Sequence, residues 1–281
     1  MVNEMKSILR KILHFALLVS LRSARKEQGY SSLVEKLRKI IPDLKNQYTS
    51  FVVEGVFLNN KVYNQHAFQV KILIDTLKSL NKENEEKVLV DIGDSSGSHI
   101  AYLNELVGNL YTISVNLDRV AVEKIRSRGL NAILCRAEEL HKHPDFNKDV
   151  DIFSSFEMLE HLEDPTGFLR NMAENTVCSK FVISVPLVKK SRIGLHQIRN
   201  WGNGQAFNAE TTHIFELSPE DWDLLFKFSG WKIVKRIKYT QYPRRSIMRI
   251  MSFIWRKMDF EGFYGVVLEK DDTYVRNYQA L

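Results

Sequence analysis

Three groups of residues have types and spacings that could do chemistry. The first is the loop 91–98, reading D-I-G-D-S-S-G-S, where Gly93 and Gly97 permit tight turns and a close ligand approach that a Cβ would hinder. Its G-x-x-x-G spacing is not the G-x-G-x-x-G of dinucleotide binders, and no Lys follows it as in a nucleoside-triphosphate loop. Two glycines alone fit a plain strand-to-helix turn equally well. The second group is Glu157, Glu160 and His161, an E-x-x-E-H run able to move a proton or to offer oxygen and nitrogen ligands to a cation. His161 could equally serve only to start a helix or to pack. The third is His196 and His213, bracketing a stretch with Trp201, Gly202, Gly204 and Phe207; either could act as a base near neutral pH, or simply cap loop structure. The two cysteines, Cys135 and Cys178, supply neither a disulfide framework nor a four-cysteine zinc site.

These residues need elements to hold them. Lys87 to Asp91 is a short continuous apolar strand, of the kind found in a sheet buried on both faces. Similar runs follow at Tyr111 to Val115, Ala132 to Cys135, Val150 to Ser154 and Phe181 to Val185. Helical patterns separate them over His99 to Val107, Val120 to Arg128 and Pro165 to Glu174. Alternation at this spacing gives an α/β, doubly wound, mostly parallel sheet. Ser218 to Phe228 reads as a helix, and Trp231 to Lys238 and Gly265 to Glu269 as strands that close one edge. Upstream, residues 5–22 and Ser31 to Ile41 read as helices, 43–63 as mixed, and Asn64 to Leu80 as a third helix. The expected organisation is an α-helical N-terminal extension at 1–63 and a catalytic domain at 64–281. Within that domain, 187–217 would be an inserted lid and 240–260 a basic amphipathic segment.

Charge is unevenly spread. The 281 residues carry a net +6, and residues 1–50 alone hold ten basic against four acidic residues. Lys232 to Lys257 holds nine basic residues and no acidic one. In the first helix Met5, Ile8, Leu9, Ile12, Leu13, Phe15, Ala16 and Val19 recur at helical spacing beside Lys6, Arg10 and Lys11. In the later segment Ile247, Ile250, Met251, Ile254 and Met258 line one helical face with Trp255 beside it. An apolar face, basic flanks and an aromatic suit an interfacial helix; a helix docked on the body with solvated Arg and Lys suits the pattern too. Nucleic acid is not expected as a partner, because no zinc finger, RNA-binding aromatic motif or Gly-rich basic tail is present. No apolar run reaches the length of a membrane span.

Val88 to Gly97, reading V-L-V-D-I-G-D-S-S-G, resembles motif I of class I S-adenosylmethionine-dependent methyltransferases, usually V-L-D-I-G-C-G-x-G. Three further segments match in order: Ile113 to Asp118, Ala137 to Leu140, and Asp151 to Pro165. The resemblance covers about residues 70–270. It implies a Rossmann-like, seven-stranded sheet and S-adenosylmethionine as cofactor. Asp91, Gly93, Ser95 and Gly97 would line its methionine end and ribose. Asn116 and Leu117 would meet ribose and adenine, Ala137 and Glu138 would lie beside adenine, and Phe156 and Glu157 would close the site. Glu157, Glu160 and His161 are similar to the cluster of ubiquinone-biosynthesis O-methyltransferases, where it can carry a divalent metal; the metal requirement here stays open.

Two positions depart from the family. Its middle glycine is Ser95, and its acidic ribose ligand is Asn116, which gives up the charge assistance that roughly doubles a hydrogen bond's strength. The expected activity is methyl transfer, to oxygen before nitrogen or carbon, on a small-molecule or lipid-linked acceptor, with His161, His196 or His213 as base. The alternative is a catalytically weak or inactive relative acting as a binding or scaffold protein. The expected location is cytoplasmic, with an anionic membrane surface as a second partner left open at the inner membrane face.

Overall fold

The computed structural model describes residues 2–49, 51–82, 84–144, 149–194, 198, 212–257 and 260–277. Strand β1 (Lys87–Ile92) is central, parallel to β2 (Leu110–Asn116) on one side and β4 (Val150–Phe156) on the other. Outside β2 lies β3 (Ala132–Leu134), and outside β4 lies β5 (Cys178–Leu187), both parallel. The hairpin β8 (Trp231–Thr240) and β9 (Gly262–Lys270) closes that edge, with β9 antiparallel to β5. The seven-stranded order is therefore β3-β2-β1-β4-β5-β9-β8. A separate pair, β6 (Arg192–Ile193) and β7 (Phe215–Glu216), is antiparallel.

The apolar strand runs work because alternate residues feed two cores. Leu89, Ile152, Val182 and Val267 face α3 (Gly55–Ser79), α4 (Ser98–Leu106) and α5 (Arg119–Ser127). Val90, Phe153, Ile183 and Val266 face α6 (Pro165–Asn175) and the helix Pro219–Phe228. Capping matches the sequence: Asp118 accepts the Val120 amide, Asp164 the Gly167 amide ahead of Pro165, and Ser218 the Asp221 amide ahead of Pro219. On the second core, the Trp231 indole donates to the Leu169 carbonyl at 2.9 Å.

Three expectations need correction. Helix α3 begins at Gly55, so the boundary at 63/64 falls inside a helix. The polar residues of its first turns hid it: Asn60 is buried, donates to the Val56 carbonyl, and accepts from Arg25 and Arg38. The stripe assigned to 247–258 is split between a 3-10 turn (Ile247–Met251) and a short helix (Ser252–Lys257). Met251 and Trp255 turn inward onto Leu17 and Leu21 of α1 (Val2–Glu27), while Ile247 and Ile250 turn outward; Met258 lies outside the described residues. In α1 likewise, Leu17, Leu21 and Ala24 are buried, and Ile8, Ile12 and Phe15 are exposed.

Candidate active site

The loops at the carboxyl ends of β1, β2 and β4 converge, as ligand sites in doubly wound sheets require. Gly93 and Gly97 both hold left-handed backbone, at φ +87° and +76°. A Cβ on Gly93 would lie 2.9 Å from the Met158 side chain, so this crossing of two loops demands glycine. Ser95, where the family has a glycine, is partly exposed on the loop. Asn116 ends β2 and clasps its neighbours: its amide donates to the Ser95 carbonyl (3.3 Å), and its side-chain oxygen accepts from the Asp118 amide (2.9 Å). Leu117 is largely exposed beside it, where an adenine face could be covered. Ala137 and Glu138 open the 3-10 turn Ala137–Lys142 past β3, and the Glu138 carbonyl accepts from Asn171 of α6.

Beneath the loop runs a buried polar chain that the sequence did not reveal. Asp91 accepts from Ser154 (2.5 Å) and from His99 Nδ1 (3.1 Å). His99 Nε2 donates to Gln69 of α3 (2.9 Å), Gln69 donates to Ser184 (3.1 Å), and Ser184 donates to Glu157 (2.8 Å). Acceptors on both ring nitrogens require a doubly protonated imidazole. Burial pushes the His99 pKa down, but Asp91 and Asp94 outweigh it and raise it to about 10. Phe156 packs edge-on against this ring at 4.8 Å. The only early signal was His99 eight residues after Asp91, on the first turn of α4.

The E-x-x-E-H run divides. Glu157, in left-handed backbone at φ +50°, turns toward Ser184 and Lys61. Burial lifts its carboxyl to about 8, partly offset by the Ser184 bond and the Lys61 charge. Lys61 in turn lies over the Phe260 ring at 4.3 Å, its pKa lowered by burial despite Glu157. Glu160 and His161 face the other way, toward His213, and those three offer ligand atoms within 4.8 Å of one another. Glu157 is thus not part of that ligand group, and His213 takes its place. One carboxylate and two imidazoles suit Zn²⁺ or Mn²⁺ better than the all-oxygen shell Mg²⁺ favours. The Glu160 carboxyl is wholly buried, with no hydrogen-bond partner on either oxygen among the described residues, and burial with Glu157 nearby pushes its pKa well up, toward the neutral form.

His161 and His213 meet edge to face at 4.6 Å. His161 Nδ1 donates to the Thr212 carbonyl (2.9 Å), which fixes its ring. His213 Nδ1 donates to Glu216 at 2.7 Å, and Arg192 across the β6–β7 pair holds the same carboxylate. Burial pushes the Glu216 pKa up, but the bonds from His213 and Arg192 bring it below its ordinary value. Spacing could have flagged Glu216, three residues after His213. His196 lies outside the described residues, as do Trp201, Gly202, Gly204 and Phe207.

Residues 63–236 match a family model described as a methyltransferase domain. The chain belongs to this family, the S-adenosylmethionine-dependent methyltransferases of class I. No curated protein matches it in sequence. Solved structures with the same fold include a candidate sarcosine dimethylglycine methyltransferase from Galdieria sulphuraria, at 12% identity and TM-score 0.54, covering 76% of this chain and 88% of that one. An O-methyltransferase from a Brevibacillus brevis multienzyme, solved with S-adenosyl-L-homocysteine, is similar at 12% identity and TM-score 0.52, with 76% and 75% covered. The 4+2 cyclase SpnF is similar at 11% identity and TM-score 0.51, with 89% and 96% covered. A cyclase among these neighbours shows that the fold alone does not settle the reaction.

Proposed function

We propose that this methyltransferase acts on a hydroxyl oxygen of a small-molecule or lipid-linked acceptor, with His213 as the base. The observation that carries the reading is the Arg192–Glu216–His213 relay at 2.7 Å between carboxylate and Nδ1. A carboxylate on Nδ1 fixes the tautomer, points the lone pair of Nε2 outward, and stabilises the imidazolium formed when a hydroxyl proton arrives. A hydroxyl needs that help because it is a poor nucleophile while protonated, whereas an amine already carries a free lone pair. His161, edge-on to the same ring, fixes its plane; His196 remains a third candidate from the same stretch.

S-adenosylmethionine, when bound, supplies an electrophilic methyl group on a sulfonium. Gly93, Ser95 and Gly97 would pass beside its methionine end with Asp91 held rigid beneath them by Ser154 and His99. Asn116 and Leu117 would meet ribose and adenine, with Ala137 and Glu138 at the adenine edge. Phe156 and Glu157 would wall the site, and the neutral form of Glu157 avoids setting an anion against the acceptor oxygen.

A second reading is favoured by one observation. Each polar atom of the Asn116 side chain already holds one bond, to Ser95 and to Asp118, where the family's acid would bind ribose. That supports a weakened cofactor site and a binding or scaffold role. Calorimetric titration with S-adenosylmethionine separates the two: saturable binding that a Gly93→Arg variant loses supports the enzyme, and a folded protein that binds none supports the scaffold.

A further inference from the structure

The two basic segments that lie more than two hundred residues apart in sequence pack together. Met251 and Trp255 bury against Leu17 and Leu21 of α1, and the Trp255 indole donates to Ser20 (3.0 Å), whose hydroxyl donates to the Gln241 carbonyl (2.9 Å). Nine residues are two and a half helical turns, so Ile8 lies on the side of α1 opposite Leu17. Ile8, Ile12 and Phe15 follow one another along that outer side, and Ile247, Ile250 and Phe253 stand out from the packed segment beside it. All six are 57 to 91% exposed.

Cations predominate among the described charges near these side chains. Lys11, Arg22 and Lys26 of α1 are exposed, as are Arg244, Arg245 and Arg249 of the neighbouring turn. Described residues 8–26 and 241–257 contain no Asp or Glu. The acids at the margin are engaged: Glu27 accepts the Arg244 and Arg245 amides at 2.6 and 2.9 Å, and Glu261 pairs with Arg256 at 3.1 Å. Exposed aliphatic and aromatic side chains accompanied by an excess of Lys and Arg suit a surface that is apolar within and anionic outside, which describes a bilayer interface.

We infer that α1 and residues 244–257 together form a docking face for an anionic lipid bilayer. No described helix is long and apolar enough to cross a membrane, so the face would lie in the interface rather than span it. It connects to the site through α3, whose Asn64 donates to the Leu21 carbonyl of α1 (3.2 Å) and which carries Lys61 and Gln69 on its inner side. Next to the face, Lys189, Lys190, Arg192, Arg256 and Glu261 line a cavity of about 330 Å³ at the end of β5. The docking face stands independently of the methyl-transfer reading.

Vesicle flotation of the full chain tests it, with phosphatidylcholine alone and with phosphatidylcholine containing phosphatidylglycerol. Binding is expected on the anionic vesicles only, and should weaken as ionic strength rises from about 0.01 to 0.15 M, where the screening length falls from ~30 to ~8 Å. Phe15→Asp with Ile250→Asp, and separately Arg245→Glu with Arg249→Glu, should each weaken partitioning by about tenfold or more. All four positions are exposed, so thermal unfolding should match the parent protein. Unchanged flotation of either variant, or no flotation at low salt, overturns the inference. So does a dimer in sedimentation velocity that Phe15→Asp with Ile250→Asp disrupts while vesicles go unbound, because the face would then belong to a second copy of the chain.

Discussion

Replacing Glu157 by Gln isolates the effect of holding an acid at the carboxyl end of β4. Burial raises its pKa from an ordinary 4.5 to about 8, against the Ser184 bond and the Lys61 and His99 charges. The folded protein therefore keeps this proton to higher pH than the unfolded chain does. Its contribution to stability is full at acid pH and is lost as pH rises through 4.5 toward 8. Between about pH 5.5 and 8.5 the loss integrates to roughly 3 kcal/mol, at about 1.4 kcal/mol per unit. Glu157 retains some solvent contact, and screening brings the figure to about 2 kcal/mol. Glutamine has nearly the same shape and can still accept from Ser184, but it does not titrate. Urea unfolding of both proteins at the two pH values should therefore show Glu157→Gln gaining about 2 kcal/mol on the parent between them, a relative midpoint shift of about 1 M. Glu160 and Lys61 titrate in both proteins and largely cancel in the difference. If the gap between the proteins is the same at both pH values, Glu157 is ionised in the fold and the reasoning about its burial fails.

Two further outcomes test the site and the scaffold. His213→Gln should lower turnover on a hydroxyl acceptor by about 10²–10⁴-fold while calorimetry shows unchanged cofactor affinity; a loss of affinity instead would place His213 in cofactor binding. Trp231→Phe removes a buried donor from the Leu169 carbonyl and part of a large side chain, and should cost about 2–3 kcal/mol in chemical denaturation with no change in cofactor affinity.

The alternation of short apolar strands with amphipathic helices was legible in the sequence, because a sheet buried on both faces leaves so few polar residues in its strands that each stands out. Gly93 and Gly97 were legible for a related reason: left-handed backbone, with Met158 crowding the first and Ile125 the second, leaves little choice of residue. Asn60 illustrates the limit. Its polarity marked a break, yet in the fold it is a buried hub for Arg25 and Arg38, and the helix runs straight through it.

What the residue order determined by itself was local: which segments form the sheet strands and the helices between them, which loop turns on glycine, and which segments carry basic charge. Tertiary structure decided partnership. It separated Glu157 from Glu160 and His161 because consecutive turns past β4 point to opposite sides, and it brought His213 and Glu216 to the latter two from over fifty residues away. It joined His99 to Gln69 and Ser184 from three different elements. It also chose which face is buried: α1 packs Leu17 and Leu21, outside the stripe read from spacing, and leaves Ile12 and Phe15 in solvent, while Met251 and Trp255 are buried and Ile247 and Ile250 are not. Hydrophobic periodicity says that a face exists; which face finds a partner depends on what the rest of the chain puts beside it.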